Sequence, residues 1–432
     1  MTSPQSLQQI AACIRGYDPH ALPVAQAQEF IARLVPQVRA VEMCALREAL
    51  GRTLARDVVS HLNVPAHDNS AMDGYALRGA ELLADQPTRL RMVGLGLAGQ
   101  RFDASVPAGA CVRITTGAVM PPGLDTVVPQ EFTHLEADAW VSIPPKLLRI
   151  GDNRRLAGED LARGDTALPA GRRLRPADLG LLASLGLAEV AVWRRLRVAF
   201  FSTGDELRSI GEPLDAGCVY DSNRYTMWAM LQRLGVQALD LGVVRDEPTA
   251  LAEAFRQAAG CADAVITSGG VSVGEADHTK RVMAELGEVL FWRIAMRPGR
   301  PMAIGRIGRG AGDEAPAILF GLPGNPVAVM VTFYAFVRDA LLRMGGATPE
   351  VLPLLRAASV DAMRKKPGRT EYQRGIVMRA ADGGWQVQIT GAQGSGILRS
   401  MSQANGMVVL HHDQGSVAAG ELVDVLPFDG LM

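Results

Sequence analysis

Between residues 196 and 345, short apolar runs alternate with longer segments whose apolar residues recur at helical spacing. The runs "RLRVAFFSTGDEL", "ADAVITSGG" and "PAILFGL" are typical of buried strands, and "DSNRYTMWAMLQRLG" and "TALAEAFRQAAG" are typical of helices. Strands that alternate with helices of this length predict a parallel sheet covered by helices on both faces. The central part of the chain is therefore predicted to be an α/β domain.

The segments on either side of this region have a different pattern. Residues 88–150 and the residues after about 346 consist of short apolar runs separated by turn residues, which predicts two small β domains. "ADGGW" in the second of them predicts a hairpin turn. Residues 23–60 and 175–187 favour helices, and Gly51 interrupts the first group. A chain of 432 residues suggests about three domains.

Composition and charge argue against several classes of protein. The net charge of −1 gives no reason to expect binding to nucleic acid or to a membrane, and no apolar stretch approaches the ~20 residues that span a bilayer. The five cysteines are odd in number, scattered and without a C-x-x-C pair, which argues against a disulfide framework and a zinc site. The N-terminus lacks the apolar core of a signal peptide. We therefore expect a cytoplasmic protein with reduced thiols.

The segment "GLGLAG" at 94–99 fits the dinucleotide-binding pattern G-x-G-x-x-G. That pattern binds a pyrophosphate only where a helix follows it, and the following "QRFDASVPAG" is not helical. We interpret these glycines as turn residues of the first β domain, so a dehydrogenase is not predicted. The seven histidines do not cluster, and His278 is expected to face solvent at a helix start.

Polar and acidic residues follow four successive strands of the predicted α/β domain, and ligands of such sheets bind at the carboxyl ends of the strands. The residues at these ends are Ser202, Thr203, Asp205 and Glu206, then Asp246, then Ser268, Gly269, Gly270, Ser272 and Asp277, and finally Gly324 and Asn325. Glycines let a backbone approach a ligand closely. The helix start at Pro326 leaves N–H groups that favour an anion.

Glycine loops and acids in one place point to a phosphate and a cation together. Several carboxylates on one sheet edge would repel each other and any phosphate unless a divalent cation lay between them. Mg²⁺ is usually held by one or two carboxylates and by substrate phosphates. Asp246 alone is equally well explained as a helix cap ahead of Pro248. The residues by themselves predict a phosphate-binding α/β enzyme with Mg²⁺ as the candidate ion, and they leave its substrate open.

Basic residues that could hold an oxyanion lie further along the chain, because a guanidinium can grip an oxyanion with two hydrogen bonds. They are Arg297 and Arg300 in "MRPGRP", and Lys365, Lys366, Arg369 and Arg374 in "KKPGRTEYQRG". "GAQGSG" adds a flexible loop with Ser395. Each basic run is equally well explained as a solvated loop. The acidic loop "DNSAMDGYA" at 68–76 could equally be a helix cap or an Asx-turn.

Together these motifs resemble those of the MoeA/gephyrin family of molybdopterin molybdenumtransferases. The matching segments, in the family's order, are "DNSAMDGYA", "ITTGA", "GED", "FSTGDEL", "YDSNRY", "RDEP", "SGGVSVGEADHTK", "RPGRP", "GLPGNPV", "PGRTEYQRG" and "QGSG". They extend over about residues 60–400. Each segment alone is of modest specificity, but the ordered set is highly specific.

The resemblance implies an α/β multidomain fold with a central three-layer molybdopterin-binding domain. The expected parts are 1–57 with 161–195 as an elongated N-terminal linker region, 58–160 as an inserted β domain, 196–345 as the molybdopterin-binding α/β domain, and 346–432 as a C-terminal β barrel. It also implies a homodimer, in which the α/β domain of one chain faces the inserted domain of the other across the active cleft. This arrangement would bring "DNSAMDGYA" to the acidic strand ends.

The implied reaction converts adenylylated molybdopterin and molybdate into molybdenum cofactor and AMP with the aid of Mg²⁺. Where positions match the family's motifs, the resemblance assigns metal binding or water activation to four residues, which are Asp73, Glu206, Asp246 and Asp277. The residues expected to bind the pterin phosphate or the nucleotide are Thr116, Ser268, Gly269, Gly270, Ser272 and Asn325. Those expected to bind molybdate are Arg297, Arg300, Arg369 and Ser395. The sequence does not divide metal ligation and general-base work among the carboxylates.

One departure from the family concerns Arg297 and Arg300, which stand where members often have lysines. A bidentate fork then replaces a point charge, so the affinity for molybdate is expected to differ. The resemblance suggests molybdopterin adenylyltransferase and proteins that mature downstream molybdoenzymes as partners. Two alternatives share parts of this pattern. An adenylyltransferase shares the α/β domain but lacks the flanking β domains, and a receptor-anchoring scaffold of the gephyrin kind would carry an extra domain and a linker that we do not expect here.

Overall fold

The N-terminal part of the chain folds back on itself through strands that are far apart in sequence. The computed structural model of the protein describes residues 6–271, 278–309 and 315–428. Up to residue 195 the helices are α1 (Leu7–Ala12), α2 (Val24–Leu34) and α3 (Pro176–Ser184), and the strands are β1 (Val41–Ala45), β2 (Val58–Val59), β3 (Asn69–Ser70), β4 (Gly74–Leu77), β5 (Thr88–Gly96), β6 (Ala110–Ile114), β7 (Thr126–Pro129), β8 (His134–Leu135), β9 (Trp140–Ile143), β10 (Arg154–Arg155), β11 (Thr166–Leu168) and β12 (Glu189–Trp193). β1 pairs with β12, β2 with β11 and β3 with β10, all antiparallel.

Of the helices expected within residues 23–60, the one over "EMCALREALGRTLARDV" was wrong, because this segment begins in strand β1 and contains no α-helix. Val41–Ala45 pairs along its whole length with Glu189–Trp193, and only a short 3₁₀ turn, Leu46–Glu48, follows it. The apolar spacing of the segment imitates a helix, whereas the pairing partner lies far along the chain. A long-range partner leaves no local pattern in the sequence, so the strand could not be recognised.

The inserted β sheet has the order β7-β4-β6-β5-β9-β8. Only β5 and β6 run parallel, and the other neighbours are antiparallel. Gly94 and Gly96 lie inside strand β5, so the expectation that they are turn residues was wrong, although no helix follows them. A Cβ atom on Gly94 would lie 2.2 Å from the ring of Phe102. This glycine is therefore needed because an aromatic ring packs on the strand.

The central region folds into a six-stranded sheet with the order β16-β13-β17-β21-β20-β18. Its elements are β13 (Arg197–Thr203), β14 (Leu207–Arg208), β15 (Val219–Tyr220), α4 (Ser222–Leu234), β16 (Gln237–Val244), α5 (Pro248–Cys261), β17 (Ala264–Ser268), α6 (His278–Leu286), β18 (Gly287–Arg293), β19 (Met296–Arg297), β20 (Pro301–Ile307), β21 (Ala317–Leu322), α7 (Pro326–Thr332) and α8 (Arg338–Met344), with a π-helical turn, Phe333–Val337, that joins α7 to α8.

The sheet is mixed, which corrects the expectation of a wholly parallel one. β16, β13, β17 and β21 are parallel, but β20 is antiparallel to both β21 and β18. Strand β20, "PMAIGRI", follows the Pro-Gly turn at 298–299 and was not anticipated. The link from β18 to β20 is too short for the helical crossover that a parallel pair requires, so the chain reverses direction there.

Alternate residues of strand β13 enter different cores, which shows that both faces of the sheet are covered. Val198 and Phe200 pack with residues of α4 and α7, whereas Ala199 and Phe201 pack with residues of α5. The ring of Phe201 meets that of Phe255 edge-on, with 5.1 Å between centroids. This period of two is what a strand buried on both faces requires.

The C-terminal part forms a closed barrel. Its elements are β22 (Leu355–Ser359), β23 (Thr370–Arg379), β24 (Trp385–Ile389), α9 (Leu398–Gln403), β25 (Gly406–Leu410) and β26 (Leu422–Pro427). The sequence of pairings β23-β24-β22-β26-β25 closes through β25 and β23, and β19 adds to β23 from outside. Arg379 pairs with Trp385 across the "ADGGW" turn, so the predicted hairpin is confirmed.

The predicted fold class is confirmed by these three structures: an inserted β sheet, a central α/β domain and a C-terminal barrel. The residue limits given above for the four parts stay a prediction. Among the helices of the described residues, none combines the length and the apolar character that crossing a bilayer demands.

Candidate active site

A cavity of about 770 Å³ opens at the carboxyl ends of the parallel strands, where the barrel meets the α/β domain. It brings together ten of the residues expected at the site: Glu206, Asp246, Ser268, Gly269, Gly270, Arg297, Arg300, Asn325, Arg369 and Ser395. The acids and the glycine turn come from the sheet, while Arg369 and Ser395 come from the barrel side. Segments more than a hundred residues apart in sequence therefore share one cavity.

Among the described residues, two acids line the cavity, and their surroundings differ. The carboxylate of Glu206 lies close to Gly204. A Cβ atom on Gly204 would lie 2.6 Å from Glu206 Oε2. Asp246 Oδ1 accepts a hydrogen bond from Thr279 Oγ1 at 3.4 Å, and the Asp246 N–H donates to Asp205 Oδ1 at 3.2 Å. The N-cap of α5 is Glu247, so Asp246 does not cap that helix.

The turn after β17 can be built only from glycine. Gly269 and Gly270 have φ values of +93° and +65°. A Cβ atom would lie 2.5 Å from Thr203 O at the first glycine and 2.4 Å from Thr279 Oγ1 at the second. The N–H of Gly269 donates to Leu322 O at 3.1 Å, so Gly269 shapes the turn and does not offer that N–H to a ligand.

The first turn of α7 differs from the open anion site that its sequence suggested. Asn325 is the N-cap residue without a side-chain cap, Pro326 has no N–H, and the N–H of Val327 donates to Ser395 O at 3.0 Å. The barrel loop therefore uses the first N–H group that this helix could have offered to a phosphate.

Arginines line one side of the cavity, and one of them is bound to a carboxylate of the protein. Arg297 and Arg300 flank Gly299, where φ is +93° and a Cβ atom would lie 2.5 Å from Thr332 Cγ2. Arg369 donates from Nε and Nη2 to Glu371 Oε1 at 2.8 and 2.7 Å, and the Glu371 side chain is 3 % exposed. Glu371 thus fixes the orientation of the Arg369 guanidinium at the cavity wall.

Lys365 and Arg374 are buried, and neither is in the described lining of the cavity. Lys365 Nζ donates to the carbonyl oxygens of His412 and Gln414, and burial lowers its pKa. Arg374 is buried against residues 392–394. These residues therefore neither line the oxyanion side of the cavity nor lie in a solvated loop, which were the two interpretations of the sequence.

Asp73 and Thr116 form a pair in the inserted β sheet and are not part of the described lining of the cavity. Asp73 Oδ1 accepts hydrogen bonds from the Thr116 N–H at 2.6 Å and from Thr116 Oγ1 at 2.8 Å. These bonds, the backbone one first, lower the pKa of Asp73. The other two expected residues, Ser272 and Asp277, lie outside the described residues.

Two polar side chains in the described lining of the cavity were not predicted. Asn223 is buried, and its Nδ2 donates to Gly324 O at 2.7 Å and lies 3.5 Å from Ser268 Oγ. Gln393 lines the barrel side beside Ser395. Both lie within the motifs "YDSNRY" and "QGSG". Their amide side chains could therefore have been identified from the sequence as candidate site residues.

The donor set of the cavity fits a Mg²⁺ ion that arrives with a phosphorylated substrate. Of the residues that the structure describes, Glu206 and Asp246 are the acids that line it. Within residues 6–271, 278–309 and 315–428, no group of three or more His, Cys, Asp or Glu side chains is placed to hold a metal. Two carboxylates are enough where substrate phosphates complete the coordination of the ion.

Three family models match the chain in succession. The MoeA N-terminal region (domain I and II) matches residues 22–186, a probable molybdopterin binding domain matches residues 199–343, and the MoeA C-terminal region (domain IV) matches residues 356–428. Together the three models cover most of the chain and include the whole lining of the cavity.

Curated relatives and a solved structure extend the similarity over nearly the full length. The molybdopterin molybdenumtransferase of Haemophilus influenzae is 40% identical over 95% of this chain and 100% of its own length. That of a Nostoc species is 38% identical, over 93% of both chains. The crystal structure of the molybdopterin biosynthesis MoeA protein of Pyrococcus horikoshii superposes with a TM-score of 0.79 at 26% identity, and covers 94% of this chain and 100% of that one.

Proposed function

The chain belongs to the MoeA family, and on that premise we propose that it takes adenylylated molybdopterin and molybdate and releases molybdenum cofactor and AMP, with Mg²⁺ as the metal. Its place as an enzyme of molybdenum cofactor biosynthesis, with molybdopterin molybdenumtransferase activity, follows from the curated relatives. The adenylylated substrate and the ion are the proposal.

One observation carries the proposal: a single cavity joins a glycine turn and two acids on the sheet side to arginines on the barrel side. A glycine turn beside carboxylates suits a phosphate anhydride with its cation. Arginines suit a second, tetrahedral oxyanion. Two substrates, one with a pyrophosphate link and the other molybdate, would use both sides of the cavity at once.

On the sheet side, Ser268, Gly270 and Asn325 would hold the pterin phosphate or the nucleotide. Glu206 and Asp246 would hold Mg²⁺, with Asp277 as a further candidate outside the described residues. When bound, the ion would neutralise charge on the anhydride. A carboxylate that is not occupied by the ion would orient water towards the phosphorus and accept its proton, so that the P–O bond to the nucleotide breaks and AMP leaves.

On the barrel side, Arg297, Arg300, Arg369 and Ser395 would hold molybdate close to the dithiolene of the pterin. Arg369 suits this role because Glu371 already fixes its guanidinium in one orientation, so little conformational entropy is lost when an oxyanion binds. The forks of Arg297 and Arg300, in place of lysines, would make two-point contacts with the oxygens of molybdate.

The Asp73–Thr116 pair supports a homodimer as the working unit. The pair belongs to the inserted sheet, and the cavity described above is lined without it. We propose that the pair from one copy completes the cleft of a second copy. The same proposal includes the four parts with the limits predicted above, a cytoplasmic location, and a molybdopterin adenylyltransferase that delivers the substrate.

The test is a direct assay. The purified protein is incubated with adenylylated molybdopterin, molybdate and Mg²⁺, and AMP release and active cofactor are measured in parallel. The proposal expects both products, and expects neither when Mg²⁺ is chelated. Tight substrate binding without AMP release would favour the scaffold. Consumption of ATP and molybdopterin with formation of the adenylylated pterin would favour the adenylyltransferase.

A further inference from the structure

A buried guanidinium holds the part of the cavity wall that carries Gln393 and Ser395. Arg374 is 1 % exposed. Its Nη1 donates to Gln393 O at 3.2 Å, and its Nη2 donates to Ala392 O at 3.4 Å and to Gly394 O at 2.9 Å. Its Nε donates to Ser400 Oγ at 3.0 Å. One side chain therefore binds three successive carbonyl groups of the loop that ends at Ser395.

The backbone of Arg374 binds the same loop. The Arg374 N–H donates to Gln393 Oε1 at 2.8 Å, and Gln393 Nε2 donates back to Arg374 O at 3.2 Å. On the other side of the loop, Ser395 O accepts the hydrogen bond from Val327 described above. The loop is thus fixed between strand β23 and helix α7, and Arg374 supplies most of its contacts to the barrel.

The charge of Arg374 is balanced differently from that of Arg369. Its partners named above are neutral oxygens, whereas Arg369 is bound to the carboxylate of Glu371. Burying a cation without an anion is costly. Burial first, and then the charge of Arg297, lowers the pKa of Arg374 to about 10. Arg297 lines the cavity, so an oxyanion bound beside Arg297 would also relieve the repulsion between the two arginines.

We propose that Arg374 is a positioning residue for the oxyanion side of the cavity. Its fork fixes the loop of Gln393 and Ser395, and its buried positive charge favours a doubly charged tetrahedral oxyanion there. The inference rests on the proposed function, in which that oxyanion is molybdate. Arg374 itself is not in the lining of the cavity and is not expected to touch substrate.

The experiment compares Arg374→Met and Arg374→Lys in steady-state assays in which molybdate and adenylylated molybdopterin are varied separately. Arg374→Met is expected to raise the KM for molybdate about ten- to a hundred-fold, the usual effect of losing charged hydrogen bonds, and to leave the KM for adenylylated molybdopterin unchanged. Arg374→Lys keeps the charge but not the fork, so it should recover part of the molybdate affinity.

Arg379→Met is the matched control, because Arg379 lies on the same strand, β23, and stacks on Trp385 away from the cavity. It should leave both KM values unchanged. If Arg374→Met is folded and its KM for molybdate equals that of the wild type, the inference is wrong. It is also wrong if both KM values rise by the same factor, since that is what a purely structural role would produce.

If Arg374→Met does not fold, Ser400→Ala replaces it, because this smaller change removes the hydroxyl that accepts from Arg374 Nε, together with its own hydrogen bond to Ile397 O. A rise of a few-fold in the KM for molybdate alone would support the inference, and an unchanged KM would overturn it. Equilibrium dialysis of the wild type with molybdate distinguishes a failure of the proposed function from a failure of the role given to Arg374. A wild type that neither binds nor uses molybdate contradicts the proposed function, whereas a competent wild type with unaffected variants contradicts only the role of Arg374.

Discussion

The N–H of Val327, in the first turn of helix α7, donates a hydrogen bond to the carbonyl oxygen of Ser395, 3.0 Å away in the barrel loop. This bond joins the α/β domain to the barrel at the rim of the cavity. It also occupies the helix start at which a phosphate was expected. In the proposed function, the phosphate would therefore bind at the turn of Ser268 and Gly270, and the second oxyanion at the loop of Ser395.

Gly270→Ala should disable the phosphate side of the cavity. A side chain at φ +65° costs about 1–2 kcal/mol, and the new Cβ atom would also lie 2.4 Å from Thr279 Oγ1. We expect lower stability in urea unfolding and a large loss of AMP release. Gly260→Ala is the control, because nothing lies within 4 Å of a Cβ atom there and alanine favours a helix. A Gly270→Ala enzyme with wild-type stability and rate would contradict the role of this turn.

A mixture of Asp73→Asn and Glu206→Gln chains should recover part of the activity that each variant lacks alone. In the proposed dimer, a mixed pair rebuilds one intact cleft, with a wild-type Asp73 from one chain and a wild-type Glu206 from the other. The chains carry different affinity tags, so that mixed dimers can be isolated and assayed for AMP release. Isolated mixed dimers that remain inactive would show that each site lies within one chain.

Arg369→Ala should weaken the use of molybdate more than the binding of the nucleotide. The loss of a charge-assisted contact corresponds to about 1.5–3 kcal/mol, or roughly ten- to a hundred-fold in affinity. The substitution also leaves Glu371 buried without its partner. The double variant Arg369→Ala/Glu371→Gln removes that stranded charge and should show the same molybdate defect in cofactor formation. If the double variant regains normal molybdate dependence, the defect came from Glu371 and not from a lost ligand.

Asp263→Asn should lower stability at neutral pH and flatten its dependence on acid. Burial acts to raise the pKa of Asp263, but hydrogen bonds from Arg194 and the Arg197 N–H outweigh it, so the pKa is lowered. A lowered folded pKa adds stability above the ordinary carboxyl value, and this stability is lost as pH falls through the folded pKa. We expect a loss of roughly 1–3 kcal/mol, less than for a fully buried pair because Arg194 is 25% exposed.

The measurement is urea unfolding of Asp263→Asn and wild type, at neutral pH and in steps down to about pH 3. The difference in the free energy of unfolding should shrink on acidification, because the wild type loses the contribution that the variant already lacks. Glu29→Gln, in an exposed i, i+4 pair with Arg33, is the control and should change stability by less than about 0.5 kcal/mol. A difference that stays constant with pH would mean that Asp263 acts through packing alone.

The sequence predicted that the residues at the ends of these strands lie together, because parallel strands place their carboxyl ends along one edge. Glu206, Asp246 and Ser268 follow three such strands, and their proximity needed no knowledge of side-chain contacts. The arginines of the barrel were expected there only through the family resemblance. No local pattern connects Arg369 to the end of β17, since the contact depends on how two separate folding units pack.

The positions of individual side chains in the site could not be predicted, because residues of the same type take different positions in the fold. Arg369 and Arg374 stand five positions apart in one motif, yet the first lines the cavity and the second is buried behind it. Arg374 is held by backbone carbonyls of a loop about twenty residues further on, and carbonyls carry no sequence signature. Strand β20 and the pairing of Val327 with Ser395 escaped for the same reason.

The pairing of β1 with β12 has a consequence for how the chain emerges from the ribosome. Val41–Ala45 finds its partner only when Glu189–Trp193 has been made, and at about 5–20 residues per second this takes roughly seven to thirty seconds. The inserted β sheet lies wholly between these two strands and can fold while β1 is still single. Nascent chains halted before residue 189 should therefore carry a folded inserted sheet on a protease-sensitive N-terminal segment, and the linker region should be completed around it afterwards.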